Sequence, residues 1–488
     1  MRAKRIVAGV LTIALSVGIC GCDSKATVSG SDKEIIIHVL ENDTAKKEGY
    51  LDELLAAFNE AYKDKGIKAV DANMDEYSDL ATNGPYGYGP DVLYQANDKL
   101  MTYAEDKHIL PLNIEDFDCY KYTPKEAWDA YRIVVDGKTY YCGVPVNIQE
   151  PMLFYRADKL GDDWKDNWDD NKNNKPDFFE NWNDMYAYSD ELRQNDDSPN
   201  RDSQYGFMAS MNNLYLVSPF MLSYGSYIFG EKEDGSLDST DIGFNKGNAS
   251  AGLKALKQMS SLMYKGCIDD TITLNRYEKV ADGTYFCAVS TPDTYGLFVD
   301  KLALAYEQEG LSEAEAITKA KENLKMIELP SLLPADGDLS KDSEKMSEKD
   351  WVDTIVMGGV NGYGISSYTK HKEACVEFVN FATGYEMVKK RMEILGIAPT
   401  RSDVAKESEG TADIIFKSLE SGRIYLMPSI KAVDQIWVPM QTIMADVAKD
   451  SYRKEDGEKE KYTQTSDFQN ALDTANKNIY DAIHVLAD

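Results

Sequence analysis

Residues 34–40, EIIIHVL, are a continuous branched apolar run, which reads as a buried strand. Residues 50–66, YLDELLAAFNEAYKDKG, then place Leu51, Leu54, Leu55, Phe58 and Tyr62 on one helical face ahead of Gly66. Further strands are predicted at IKAVDA (67–72) and DVLYQAN (91–97), with KLMTYAEDK (99–107) helical before ILPLN (109–113). Strands alternating with amphipathic helices commit the chain to α/β layers around a largely parallel sheet. At 488 residues it is too long for one core, so two large lobes or three smaller domains are expected. Helical periodicity returns in residues 251–266, 373–395 and 467–488. Residues 161–201, 330–352 and 450–463 are rich in Asp, Asn, Lys, Ser or Gly and are expected as surface insertions.

The first residues carry a targeting signal rather than fold. Arg2, Lys4 and Arg5 precede an uncharged, mostly apolar run from Ile6 to Ile19, too short and wrongly flanked to span a bilayer. Ile19-Cys20-Gly21-Cys22 resembles a bacterial lipobox, which implies removal of residues 1–21 and lipidation of Cys22. A plain secretory signal is the alternative. Residues 22–33 are small and polar, as a tether between lipid and fold would be. Removing three positive charges takes the formal net charge from −30 to −33. Such a surface repels nucleic acid and anionic lipid heads, so membrane attachment must come from acyl chains. The protein is expected on the outer face of the cytoplasmic membrane.

Cys119, Cys142, Cys267, Cys287 and Cys375 are widely spaced, form no CxxC pair and are odd in number. They are expected mainly as reduced core thiols.

Four ordered segments carry a resemblance. YGPDVLYQANDKLMTYAEDKHILPLN (88–113), YYCGVPVNIQEPMLFYRADKL (140–160), DGTYFCAVSTPDTYGLF (282–298) and GRIYLMPSIKAVDQIWVPM (422–440) are similar to segments of the extracellular solute-binding proteins of bacterial ABC importers, in particular the maltose and maltodextrin binders. The resemblance implies a two-lobed, class II periplasmic-binding-protein fold. Its first lobe would comprise 34–146 and 322–384, and its second 147–321 and 385–488, with three strands crossing between them. A monomer is expected, holding an oligosaccharide in the cleft and docking on a permease when closed.

A sugar offers hydroxyls around its rim and apolar C–H faces above and below. Its site therefore needs aromatic plates together with carboxylates or amides. By the resemblance, Trp437 and Tyr215 fall on stacking positions, and Asp98 with Lys99 on an acid-base pair that binds hydroxyls. Gln149 and Glu150 fall where the family has a ligand carboxylate at the lobe crossing, and Asn42 with Asp43 where a polar pair follows the first strand. Asn213 and Tyr295 align through their neighbours Tyr215 and Pro292. Three positions depart: Gln95 and Asp293 stand where the maltodextrin binders have tryptophans, and Gln441 where they have an arginine. Two stacking plates are lost, which implies a more polar cleft. For each of these residues a packing or surface role is the competing assignment.

DDNKNNKPDFFE (169–180) has EF-hand spacing: Asp169 at position 1, Asn171 at 3, Asn173 at 5, the Lys175 carbonyl at 7, Asp177 at 9 and Glu180 at 12. Asn174 occupies position 6, normally glycine because the chain turns there with positive φ, which Asn tolerates next best. Either a structural Ca2+ clips this loop, or it is a solvated acidic insertion.

Only four histidines occur, and no HExxH, GxSxG or Walker A pattern accompanies them. That argues against zinc, serine-triad and nucleotide chemistry, and no enzymatic activity is expected. A surface glycosidase needs only two carboxylates, so spacing alone leaves that alternative open, along with a peptide or polyol binder.

Overall fold

The computed structural model describes residues 34–135, 137–265, 271–408 and 411–485. The signal segment, the tether with Cys22, and Cys267 lie outside them.

Two sheets organise the chain. The larger has seven strands in the order Ala398–Pro399, Val144–Gln149, Val356–Ile365, Val92–Ala96, Ile35–Leu40, Ile67–Asp71, with Ile424–Leu426 pairing on Val356–Gly358. Its parallel heart is Ile35–Leu40 between Ile67–Asp71 and Val92–Ala96, as the alternating pattern predicts. The smaller sheet runs Leu324–Glu328, Met152–Arg156, Tyr285–Ser290, Tyr205–Met208. Both sheets are mixed rather than largely parallel. The antiparallel partners are the strands that carry the chain between sheets, such as Val356–Ile365 against Val92–Ala96 and Val144–Gln149. A strand returning from the other body enters its sheet from the opposite end.

There are three crossings: at Gln149–Met152, between Glu328 and Val356, and between Pro399 and the helix Trp437–Arg453. The expected boundaries at 322 and 385 are thereby displaced. Leu324–Glu328 belongs to the second sheet, paired with Met152–Arg156. The helix Tyr385–Leu395 stays with the first, because Arg391 makes a buried ion pair with Glu41 at the end of the first strand, Nη1 to Oε1 2.7 Å. The guanidinium also lies 3.9 Å from the Tyr94 ring. A buried charge this well enclosed holds its helix in place only because a partner neutralises it.

The periodic run 373–395 forms two helices, Lys372–Ala382 and Tyr385–Leu395, broken at Thr383–Gly384. Residues 161–201 are not wholly a surface insertion either. Phe178, Phe179, Trp182 and Met185 are buried in the second core, and Asn181 caps the helix Trp182–Asn195 by accepting from Asp184 N. Residues 330–352 are likewise pinned by buried Leu333 and Leu339. Cys119, Cys142, Cys287 and Cys375 are buried free thiols, and burial pushes the Cys142 thiol up to about 12. No described helix is long and apolar enough to cross a membrane.

Candidate functional site

The C-terminal ends of the parallel strands in the first sheet open toward the second body. Val92–Ala96 runs directly into the helix Asn97–Glu105, whose first turn carries Asp98. Asn97 locks that turn. Its side-chain oxygen accepts from Val360 N (3.2 Å) and its amide nitrogen donates to Met427 O (2.9 Å) and Ser429 Oγ (3.3 Å). One buried amide therefore ties the strand Val356–Ile365, the helix and the Met427–Ser429 segment together.

Three carboxylates from separate parts of the chain bear electrostatically on Tyr215. Asp98 comes from the first body, Glu150 from the first crossing, and Asp293 from the turn after Tyr285–Ser290 in the second sheet. Asp98 Oδ1, Glu150 Oε1 and Asp293 Oδ1 are each buried and have no hydrogen-bond partner. Burial raises the Tyr215 hydroxyl, and the charges of Asp293, Glu150 and Asp98 add to it in that order. Burial also raises Asp98, opposed by the Lys99 backbone N–H and reinforced by Asp434.

Glu150, only 3% exposed, is pushed up to about 8, by burial first. Arg423 pulls the other way and Glu328 adds to the rise. The Arg423 charge is shared with Glu328 through a contact of 2.8 Å, so it compensates Glu150 only in part. At neutral pH this carboxyl is mostly protonated and can both donate and accept.

Trp437 begins the helix Trp437–Arg453, half-buried against the main core. Gln441, one turn on and therefore on the same face, is exposed. Asp434, in the turn before this helix, is the residue whose charge reaches Asp98, which sets this helix start beside the first-body carboxylate.

Other expected site residues are placed elsewhere or differently employed. Lys99 does not pair with Asp98: adjacent helical residues point apart, and its Nζ sits 4.8 Å from the Tyr103 ring. Asn42 caps the helix Asp43–Lys47, accepting from Ala45 N at 2.8 Å. Asp43 is exposed, and its N–H donates to Glu76 Oε2 at 2.6 Å. Asn213 accepts from Leu216 N and closes a turn. Tyr295 lines a separate cavity of about 520 Å³ with Lys321, Met326, Met392 and Thr411. Gln149 ends its strand half-buried. Gln95 donates to the Glu76 carbonyl at 2.6 Å. Sequence reasoning missed Glu76, Tyr77 and Glu328, whose segments carry no motif of their own, and passed over Arg423 and Asp434 within the 422–440 segment.

In the 169–180 loop, Asn174 has φ 63°, the left-handed turn expected at position 6. Its N–H donates to Asp169 Oδ2 at 3.2 Å. Glu180 takes the Asn171 amide at 2.7 Å and the Asn173 amide at 2.5 Å on its two oxygens. Asp169 is 7% exposed, and its Oδ1 is buried without a partner. Asp177 Oδ2 accepts from Asp170 N, and burial raises this carboxyl. Among the described residues no group of three or more His, Cys, Asp or Glu forms a metal set. The fit to a cation therefore depends on Asn171 and Asn173 turning their carbonyl oxygens inward, giving an oxygen-only donor set that suits a hard cation.

Two bodies are joined by three crossings, and carboxylates carried by both act electrostatically on the half-buried Tyr215. Solved structures share this fold. The extracellular solute-binding protein from Staphylococcus aureus in complex with maltose matches at TM-score 0.64 and 18% identity, over 94% of this chain and 100% of that one. The maltose-binding periplasmic protein MalE from Listeria monocytogenes in complex with maltose matches at 0.66 and 16%, over 92% and 98%. The galactooligosaccharide-binding protein of Bacillus subtilis (strain 168) is 26% identical over 444 residues, 89% of this chain and 90% of its own. The maltodextrin-binding protein MdxE of the same strain is 23% identical over 464 residues, 94% of each. The family model described as bacterial extracellular solute-binding protein matches residues 53–418. The chain belongs to that family. It is a binding protein and not an enzyme, and its place is outside the cytoplasm.

Proposed function

We propose that this protein is the lipid-anchored receptor of an ABC importer, which captures a neutral oligosaccharide between its two bodies and presents it to the permease in the closed form. The observation that carries the reading is that Asp98, Glu150 and Asp293, whose charges all bear on the Tyr215 hydroxyl, each keep one buried carboxylate oxygen without a partner. Buried polar atoms without partners are rare in native proteins, and sugar hydroxyls are donors of the right kind to meet them. Trp437 and Tyr215 supply the flat faces that pyranose rings need. An acid-lined cleft in a chain of formal net charge −30 disfavours acidic sugars. The likeness to galactooligosaccharide- and maltodextrin-binding proteins supports the substrate class.

Ligand contacts on both bodies are satisfied together only when the cleft closes, so binding energy selects the closed state. Lys47 of the first body lies 3.5 Å from Asp300 of the second, an exposed contact suited to the rim of such a closure. The proposal includes Ca2+ held by Asp169, Asn171, Asn173, the Lys175 carbonyl and Glu180, with Asp177 at the ninth position. It also includes anchorage through lipidated Cys22, with a monomer as the working unit. Isothermal calorimetry with neutral maltooligosaccharides and galactooligosaccharides, and with an acidic oligogalacturonide, tests the substrate. Micromolar binding of a neutral series and none of the acidic one is expected. Binding of peptides or polyols alone would refute it.

A further inference from the structure

Tyr77 is 82% exposed, the most exposed large hydrophobic side chain among the described residues. The backbone beneath it is fixed from three directions. Asp75 Oδ1 accepts from Tyr77 N at 2.8 Å, and Ser78 N returns to Asp75 O at 3.0 Å, closing a turn. Gln95, near the end of the strand Val92–Ala96, donates to the Glu76 carbonyl at 2.6 Å. Asp43 N, at the start of the helix Asp43–Lys47, donates to the Glu76 carboxylate at 2.6 Å.

That helix also carries Lys47, which reaches Asp300 on the helix Tyr295–Gln308. Tyr77 therefore stands where the first body faces the segment that begins at Asp293. Electrostatics agree with the placement: the Tyr77 hydroxyl is raised to about 12, first by its hydrogen bond to Glu76, with Asp43 and Asp293 contributing.

Gln95 and Asp293 are the two positions at which the sequence lacks a stacking tryptophan. Gln95 holds the turn that presents Tyr77, and the charge of Asp293 bears on the Tyr77 hydroxyl. We infer that Tyr77 is a specificity-determining residue, a stacking plate for a sugar ring at the cleft mouth that replaces the two missing ones. The inference rests on the oligosaccharide reading above. The ring offers its face to the sugar, while the Glu76 and Asp43 carboxylates beside it accept rim hydroxyls.

The test is calorimetric titration of the mature chain and its variants with a linear maltotetraose and a linear galactotetraose. Tyr77→Ala should weaken binding of the preferred sugar at least tenfold. Tyr77→Phe, which keeps the ring, should stay within about threefold. Gln95→Ala, which frees the turn, should fall between. Melting temperatures of the Tyr77 variants should match the parent, because an exposed side chain contributes little to stability. A Tyr77→Ala affinity within twofold of the parent overturns the inference. If Trp437→Ala abolishes binding while Tyr77→Ala does not, only the role of Tyr77 falls. If the parent protein binds neither sugar, the oligosaccharide reading falls and Tyr77's role falls with it.

Discussion

Glu150→Gln isolates the most perturbed acid of the site. The ordinary glutamate value is 4.5, and in the fold Glu150 titrates at about 8 because burial outweighs the help of Arg423. Below pH 4.5 the carboxyl is protonated in folded and unfolded chains alike and adds no pH dependence. Between 4.5 and 8 the unfolded chain releases the proton and the folded chain keeps it, so stability falls steadily as pH rises. Above 8 both are ionised, and the full penalty persists. The gap corresponds to roughly 5 kcal/mol in all, of which roughly 4 kcal/mol accumulates between pH 5 and 9. Glutamine keeps the shape and the donor but cannot ionise. The assay is urea denaturation of both proteins at pH 5, 7 and 9, compared as differences so that the groups common to both cancel. The stability of Glu150→Gln relative to the parent should rise by several kcal/mol from pH 5 to 9. A constant difference across this range would refute the claim that Glu150 is buried and short of a compensating charge.

Trp437→Ala should weaken oligosaccharide binding at least tenfold by calorimetry with an unchanged far-ultraviolet spectrum; unchanged affinity would remove Trp437 from the site. Chelator should lower the melting temperature of the parent protein and leave that of Asp169→Ala unaffected; equal sensitivity would dissociate the 169–180 loop from any ion. Glu41→Ala leaves the Arg391 guanidinium buried without its carboxylate, and chemical denaturation should show a loss of about 3–5 kcal/mol. A loss below 1 kcal/mol would mean that water reaches Arg391.

The parallel heart of the first sheet was legible because branched apolar runs and 3.6-residue spacing coincide with Gly and Pro punctuation from Ile35 to Ala96. The EF-hand-like turn was legible down to the sign of φ at Asn174, since position 6 admits few residues. The domain boundaries were not. Leu324–Glu328 is apolar enough for either sheet, and only its antiparallel partner Met152–Arg156, some 170 positions earlier, decides between them. Phe178 and Trp182 lay hidden because a polar loop precedes them directly, and composition averaged over 161–201 masks the helix that follows. Within the site, residue types aligned while geometry did not: Lys99 follows Asp98 in sequence yet turns toward Tyr103, a consequence of the 100° step between helical neighbours. Tyr77 carries no motif, and its placement becomes visible only through the Gln95 side chain and the Asp43 backbone N–H, which both bond Glu76.

The unpartnered carboxylates also bear on the hinge. A buried acceptor without a donor costs about 1–3 kcal/mol, so in the closure proposed above, drying the three on Asp98, Glu150 and Asp293 would together disfavour a closed, empty cleft by roughly 3–9 kcal/mol. Opening lets water reach them. Even the lower figure leaves the closed form under about 1% populated without ligand, provided no other contact between the bodies offsets it. The exposed Lys47–Asp300 pair is too weak to do so, since such contacts contribute at most about 1 kcal/mol. A sugar that donates to all three oxygens removes the penalty only when both bodies surround it. Under the proposed function, the same atoms that would recognise the solute would also set the hinge to rest open, making affinity and closure one quantity. Conservative amides at Asp98 and Asp293 should accordingly weaken sugar binding while raising the closed fraction of the empty protein. Small-angle scattering would read that as a smaller radius of gyration without ligand, and an unchanged radius would show that the hinge is governed elsewhere.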